Sequence, residues 1–309
     1  MKKGIQGRME RKWLTVWIIL LFVTIYITPT TAQDGVTLSQ RSSKGNWLYV
    51  GGNGPGNYSK IQDAIDNASE GDTVFVYSGL YHESIVINKS IVVSGEDRNT
   101  TYIVGDDTHT ILNQSAVVAI TDATVEFKGF SIQKTSYYTS GIGITNCSRS
   151  LIHQNYVSMF EHGIEVGISD SITVLNNTIQ NCTFGIQLSM VKNIRIEGNV
   201  ILGNKMGYGI EIFTSIRNTI LRNTMTNNLY GCILYFSGFS IIKENNFMGN
   251  TEQQALFSNS FFSLWYRNYW DQPRWFPKVI FGRVGGYFLG VPYINIDWLP
   301  AQKPYNIPG

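Results

Sequence analysis

The sequence repeats itself about every 22 residues, and this constrains the fold more than any other feature. A Gly-Ile-like pair stands at Gly141-Ile142, Gly163-Ile164, Gly185-Ile186, Gly209-Ile210 and Gly231-Cys232, in steps of 22, 22, 24 and 22. Asn keeps the same phase fourteen residues later, at Asn155, Asn177, Asn199, Asn223 and Asn245. The two extra residues of the third unit, around Met206 to Tyr208, enter both series together, as a single loop insertion does. A unit this short has no room for a ten-residue helix. It cannot bury its own apolar residues, but stacked units can.

Numbered from the Gly, position 2 reads Ile142, Ile164, Ile186, Ile210 and Cys232. Position 4 reads Ile144, Val166, Leu188, Ile212 and Leu234. Positions 12 and 17 are apolar throughout, from Ile152 to Ile242 and from Val157 to Phe247. Largely β-branched residues at a spacing of two mark short strands, and the Asn, Gly and Ser between them mark turns. Stacking equal coils gives an all-β parallel β-helix with strands about 4.8 Å apart and an aliphatic interior. The position-15 Asn residues then form an internal ladder, bonding the backbone of their own turn and the amide of the next coil.

The flanks read differently. Lys2, Lys3, Arg8, Arg11 and Lys12 precede an apolar run from Trp13 to Ile27, followed by small residues up to Ala32. This predicts a secretory signal over 1–32. An uncleaved membrane anchor is the alternative, and either places the rest of the chain outside the cytoplasm. Residues 58–65, with Ser59 as N-cap and apolar positions 61, 64, 65 and 68, predict a short helix covering the exposed end of the first coil. Segments 73–76, 85–87, 91–93 and 102–104 read as strands, and 115–132 as a coil. The β-helix spans 46–268. Residues 269–309, with Trp270, Trp275, Trp298 and most of the prolines, read as a C-terminal cap.

Composition narrows the function. Charged residues make up only 15% of the 309, against 26 Asn, and 24 Lys+Arg balance 22 Asp+Glu to a net charge of +2. That balance argues against a nucleic-acid binder, which needs clustered cations. Three cysteines, Cys147, Cys182 and Cys232, allow at most one bridge and predict mostly buried thiols.

The ordered set Ile61-Gln62-Asp63-Ala64-Ile65-Asp66, Glu70-Gly71-Asp72-Thr73-Val74, Gly79-Leu80-Tyr81-His82-Glu83, Ile87-Asn88-Lys89-Ser90-Ile91 and Ser94-Gly95-Glu96 resembles the N-terminal part of NosD-like right-handed β-helix proteins. These are also grouped as carbohydrate-binding and sugar-hydrolysis (CASH) domains. Asn268-Tyr269-Trp270 resembles their last coils. The resemblance covers roughly 47–270 and implies a right-handed β-helix, export and polysaccharide contact. It also carries the label of periplasmic copper binding. Yet His82, His109, His153 and His162 are well separated, and no His/Cys/Met cluster shows ligand spacing. The residues themselves point to no metal site and no cofactor.

Outward positions decide function on a β-helix. Position 3, between two buried positions, reads Gly143, Glu165, Gln187, Glu211 and Ile233. Beside it run His162, Phe184, Tyr208 and Tyr230, with Phe213 and Tyr235 at position 5. Aromatic rings next to carboxylates and amides suit a sugar, which offers apolar faces and polar edges. Glu165, Glu211 and His162 are the candidate catalytic residues. Gln187, Phe184, Tyr208, Phe213, Tyr230 and Tyr235 are the candidate ligand-binding residues. The two Glu lie two coils apart, near the carboxyl spacing of inverting glycosidases, although Glu on a solvent-facing strand is also ordinary surface. The expected partner is an extracellular polysaccharide or another cell-surface molecule. The expected function is binding, with a glycoside hydrolase or polysaccharide lyase and a copper-binding protein as alternatives. Sequons at Asn57, Asn67, Asn99 and Asn113 are candidate glycosylation sites.

Overall fold

A computed structural model describes residues 45–105, 116–134, 139–285 and 290–308. The signal segment 1–32, His109 and the Asn113 sequon lie outside the described residues. The chain winds into a parallel β-solenoid of about 10 turns with ~23 residues per coil. Three rows of strands run along its axis. The first row contains Ser140–Thr145, His162–Gly167, Phe184–Ser189, Tyr208–Phe213, Tyr230–Tyr235 and Gln253–Ser258. The second begins with Trp47–Val50, Thr73–Val76, Val92–Gly95 and Glu126–Lys128 and ends with Leu264–Tyr266. The third extends from Gly79–His82 to Tyr269–Trp270.

The register is the one the repeat dictates. Ile142 pairs with Ile164, Ile164 with Ile186, Ile186 with Ile210 and Ile210 with Cys232. All five side chains are buried, as are the position-4, position-12 and position-17 columns. Each buried aliphatic contributes roughly 1.5–3 kcal/mol relative to exposure. Stacking identical rows therefore gives one continuous core rather than many small ones. All three cysteines are buried and free.

Turning the chain from the second row to the third takes one residue per coil. Gln154, Asn176, Gly198, Arg222, Glu244 and Arg267 all have φ between 51° and 66°, the left-handed region. The following Asn closes the turn. Asn177 Nδ2 donates to the carbonyls of Ile152 and Leu175, and both Asn177 N and Nδ2 donate to Asn199 Oδ1. The same pattern repeats from Asn155 to Asn268. A second ladder, Asn204–Asn228–Asn250, lines the corner before the first row.

Helix α1 (Ile61–Asn67) lies on the first coil with Ile61, Ala64 and Ile65 buried. The expected Ser59 cap is not its cap: the helix starts one residue later, after Lys60, and Lys60 makes no side-chain cap. The Glu83 carboxylate caps it from the neighbouring coil instead, accepting Ile61 N at 2.8 Å and Gln62 N at 3.0 Å. A full negative charge suits the positive end of the helix better than a hydroxyl does. At the other end, Lys278–Val284 and Val291–Asp297 form an antiparallel hairpin laid on the last coil. Among the described residues, no helix is long and apolar enough to cross a membrane.

Candidate functional site

The outer face of the first row is shaped by the glycine at position 1. A Cβ on Gly163 would lie 2.4 Å from Ile179 Cγ2, so only glycine fits there. Gly163 and Ile164 are both buried, which breaks strict alternation. His162 and Glu165 are left half-buried on the outer side, as are Phe184 and Gln187 one coil on. The two outward columns then run side by side along the axis.

The first column is a stack of rings. His162 lies parallel over Phe184 at 4.8 Å, Phe184 is 5.5 Å from Tyr208, and Tyr208 is 5.4 Å from Tyr230. Only His162 and Phe184 lie face to face; the other two pairs are tilted at 59°, and all four rings are half-buried. What such a stack can offer a ligand is mainly ring edges and the tyrosine hydroxyls. Phe213 stands apart, 41% exposed and edge-on to Phe236.

The second column is polar in the middle and apolar toward the C-terminal end. Glu165 Oε2 accepts Ser140 Oγ at 2.6 Å. Glu211 Oε2 accepts Gln187 Nε2 at 2.6 Å. Glu211 is only 9% exposed, and the outward Ile233 is fully buried. Tyrosines beside the column account for this. Tyr235, at the end of its strand, lies near Tyr208, Tyr230 and Glu211. Burial first, then the neighbouring Tyr208 hydroxyl and the Glu211 carboxylate, push the Tyr235 hydroxyl well above its ordinary range.

The structure thus brings together Gln187, Glu211, Tyr208, Tyr230 and Tyr235. Glu165 and Glu211 are separated by Gln187 and each accepts a different donor. The nearest carboxylate to His162 is Glu161, with Nε2 3.9 Å from Oε1, and His162 Nδ1 is buried without a partner. Ser140 was not among the expected residues, although its place one coil before His162 in the same column is readable from the repeat. Of the sequons, Asn57 is half-buried with Nδ2 bonded to Gly51 O at 2.6 Å, whereas Asn67 and Asn99 are exposed.

These features define the class: a parallel β-helix with a polar and aromatic strip along one sheet. Residues 65–283 match the sequence profile of the family described as periplasmic copper-binding protein (NosD), and the chain belongs to that family. No curated protein sequence matches the chain. Among solved structures, the enzymatically active domain of tailspike protein 2 from bacteriophage CBA120 is similar at 14% identity and a TM-score of 0.51. The match covers 68% of this chain and 39% of that one, so the chain spans well under half of the tailspike domain. DFA-IIIase from Arthrobacter chlorophenolicus A6, without its lid and in complex with GF2, is similar at 13% identity and a TM-score of 0.52. That match covers 72% of this chain and 73% of that one. Likeness at such identities shows the fold alone.

The family description raises copper, and the donor set here does not fit it. Among the described residues, no three His, Cys, Asp or Glu side chains lie together. The soft donors Cys147, Cys182 and Cys232 are enclosed in separate coils, with burial pushing each thiol up. Copper sites need such ligands converging and deprotonated.

Proposed function

We propose that this chain is an exported β-helix protein that holds a polysaccharide along the outer face of its first strand row. The observation that carries this reading is the Gln187–Glu211 pair, beside Tyr208, Tyr230 and Tyr235, in a column aligned with the solenoid axis. A linear glycan laid along that axis meets a fresh set of polar groups at every coil. Carboxylate, amide and phenol groups match its hydroxyls, and the exposed Phe213 offers a surface to its apolar faces. Export is supported by the N-terminal segment and by the family description.

The test is retention of the protein in gels cast with individual polysaccharides. Binding that weakens in Tyr208→Ala and Tyr230→Ala but survives Glu165→Gln and Glu211→Gln supports the reading. No retention by any polysaccharide overturns it.

A second reading, glycoside hydrolase or lyase, is favoured by two carboxylates two coils apart on one face. It requires new reducing ends or unsaturated products, abolished by either Gln substitution. Stoichiometric copper in the purified, copper-loaded chain would instead support the family description.

A further inference from the structure

A groove lies on a different part of the solenoid, where the second row turns into the third. Its floor follows the turn column Gly95, Gly129, Gln154 and Asn176, which register places in four successive coils. It encloses about 560 Å³. The two glycines are needed there, since a Cβ on Gly95 would lie 2.2 Å from Gly129 O. One wall is Phe75, with Lys128 further along. The other is Arg98, carried on a loop, whose Nη1 reaches Thr178 Oγ1 at 3.5 Å. Pro308, near the end of the chain, lines it too.

Two features give this groove a ligand class. Phe75 belongs to a cluster with Trp47, Tyr49 and Tyr77, at centroid distances of 5.1 to 6.2 Å, two pairs tilted, two edge-on and one stacked. Trp47, beside the groove and 6.2 Å from Phe75, is 53% exposed, so the cluster presents open ring surface, whereas the rings of the first row are half-buried. The charges, in contrast, are already engaged. Lys128 Nζ is 2.7 Å from Glu126 Oε1, and Glu96 Oε2 accepts Ser78 N and Oγ. The exposed amides of Gln154 and Asn176 make no side-chain hydrogen bond among the described residues. Open aromatic surface, unengaged amides and balanced charge suit a ligand with apolar faces, many hydroxyls and no charge.

We propose that this groove is a separate subsite for a neutral oligosaccharide, lying lengthwise over the four turns with its sugar faces toward Phe75 and Trp47. It does not depend on the first-row strip, and each can fail alone.

The probes are cellohexaose, maltohexaose, xylohexaose and mannohexaose, with tetragalacturonate as the charged comparison, titrated against the full chain and followed by tryptophan fluorescence and calorimetry. The key variant is Gln154→Gly/Asn176→Gly. It removes both amides and keeps the turn, because Gly198 already holds the same position one coil on. At least one neutral hexaose is expected to bind, with a loss of about tenfold or more in the double variant, the worth of two hydrogen bonds. Phe75→Ala is expected to lose binding as well. Three results overturn the proposal: no neutral hexaose binds, tetragalacturonate binds more tightly than all of them, or the double variant binds as well as the parent. Binding lost in Tyr208→Ala but kept in the double variant places the sugar on the first-row strip and overturns this site while leaving that one standing.

Discussion

Asp297 takes the place of the next asparagine after Asn268. Its Oδ2 accepts Asn268 Nδ2 at 3.0 Å and Asn268 N at 2.8 Å, the bonds that each Asn Oδ1 accepts from the coil before it. It also accepts Trp270 Nε1 at 3.1 Å and Arg267 N at 3.0 Å. A fully buried carboxylate is tolerable only with such donors. The C-terminal hairpin therefore does more than cover apolar surface. It ends the ladder with a side chain that has no N–H to donate and so needs no further acceptor beyond it.

Replacing Asp297 tests that role. Asp297→Ala leaves several buried N–H groups unpaired, at a cost of about 3 kcal/mol or more. Asp297→Asn keeps one acceptor oxygen and is expected to cost less. Solenoid coils couple mainly to their neighbours. Hydrogen exchange should therefore quicken most in coils 246–270 and little before 180. Uniform loss along the chain would contradict a local cap.

Much of this was legible in advance because the repeat is geometric. Two residue types in one phase set the register, and register set which columns are buried. The position-15 ladder followed from that. The Asn204–Asn228–Asn250 ladder did not, because the 24-residue unit and the missing Gly in the last coil blur its phase. Glu83 and Asp297 were not legible either. Each acts from another coil on an end of the structure, and ends have no repeat to announce them. On the site, the columns were legible but the contacts within them were not. Sequence spacing shows that Glu165 and Glu211 share a face. It does not show that Gln187 turns to Glu211, or that Tyr235 comes near Glu211 and Tyr208.

The interior of the ladder should be less forgiving than its end. Asn199 donates from Nδ2 to Val174 O, Glu197 O and Asn223 Oδ1, and receives two bonds from Asn177. Asn199→Ala is expected to destabilise by about 3 kcal/mol or more, since donors and acceptors on both neighbouring coils lose partners at once. Asn199→Asp, which cannot donate, should be comparably harmful. Urea unfolding followed by circular dichroism reads both. A loss below about 0.5 kcal/mol, within the range of ordinary surface substitutions, would mean the ladder is not structural.

Acid sensitivity should arise in part at Glu126. The His153 hydrogen bond, with help from Lys128, outweighs the cost of burial and holds the carboxyl at about 2 instead of 4.5. A depressed carboxyl pKa stabilises the fold above its unfolded value. The contribution is therefore complete above pH 4.5 and fades as pH falls toward 2. Glu126→Gln should be less stable than the parent near neutrality and show a shallower decline across that window. Parallel stability curves for the two proteins would remove Glu126 as the cause.

The thiols should be silent in the folded state. Burial pushes Cys182 up to about 11 and Cys232 up to about 12, and Cys147 upward as well. The thiolate is the reactive form, so a charged disulfide reagent at pH 8 should modify none of them in native protein. In denaturant it should modify all three, because all are free. Rapid native modification of Cys232 would show that the first-row interior opens readily.

The first-row strip separates binding from catalysis through Tyr208, Tyr235 and Glu211. Tyr208→Phe keeps the ring in its column and removes the hydroxyl near Tyr235. The fold should persist, with a loss of no more than about 1 kcal/mol. If the strip holds a glycan through hydroxyls, polysaccharide retention should weaken in Tyr208→Phe and Tyr235→Phe alike. Phe213→Ala should weaken it too, through lost apolar contact rather than lost stability, because the ring is already largely exposed. Glu211→Gln keeps the shape, and an amide turn lets Gln187 bond to the new carbonyl oxygen. Retention should therefore survive it if the carboxylate is only a hydrogen-bond acceptor. Product analysis with the same variants decides the alternative: release of new chain ends by the parent, lost in Glu211→Gln while retention persists, would make the strip an active site rather than a binding face.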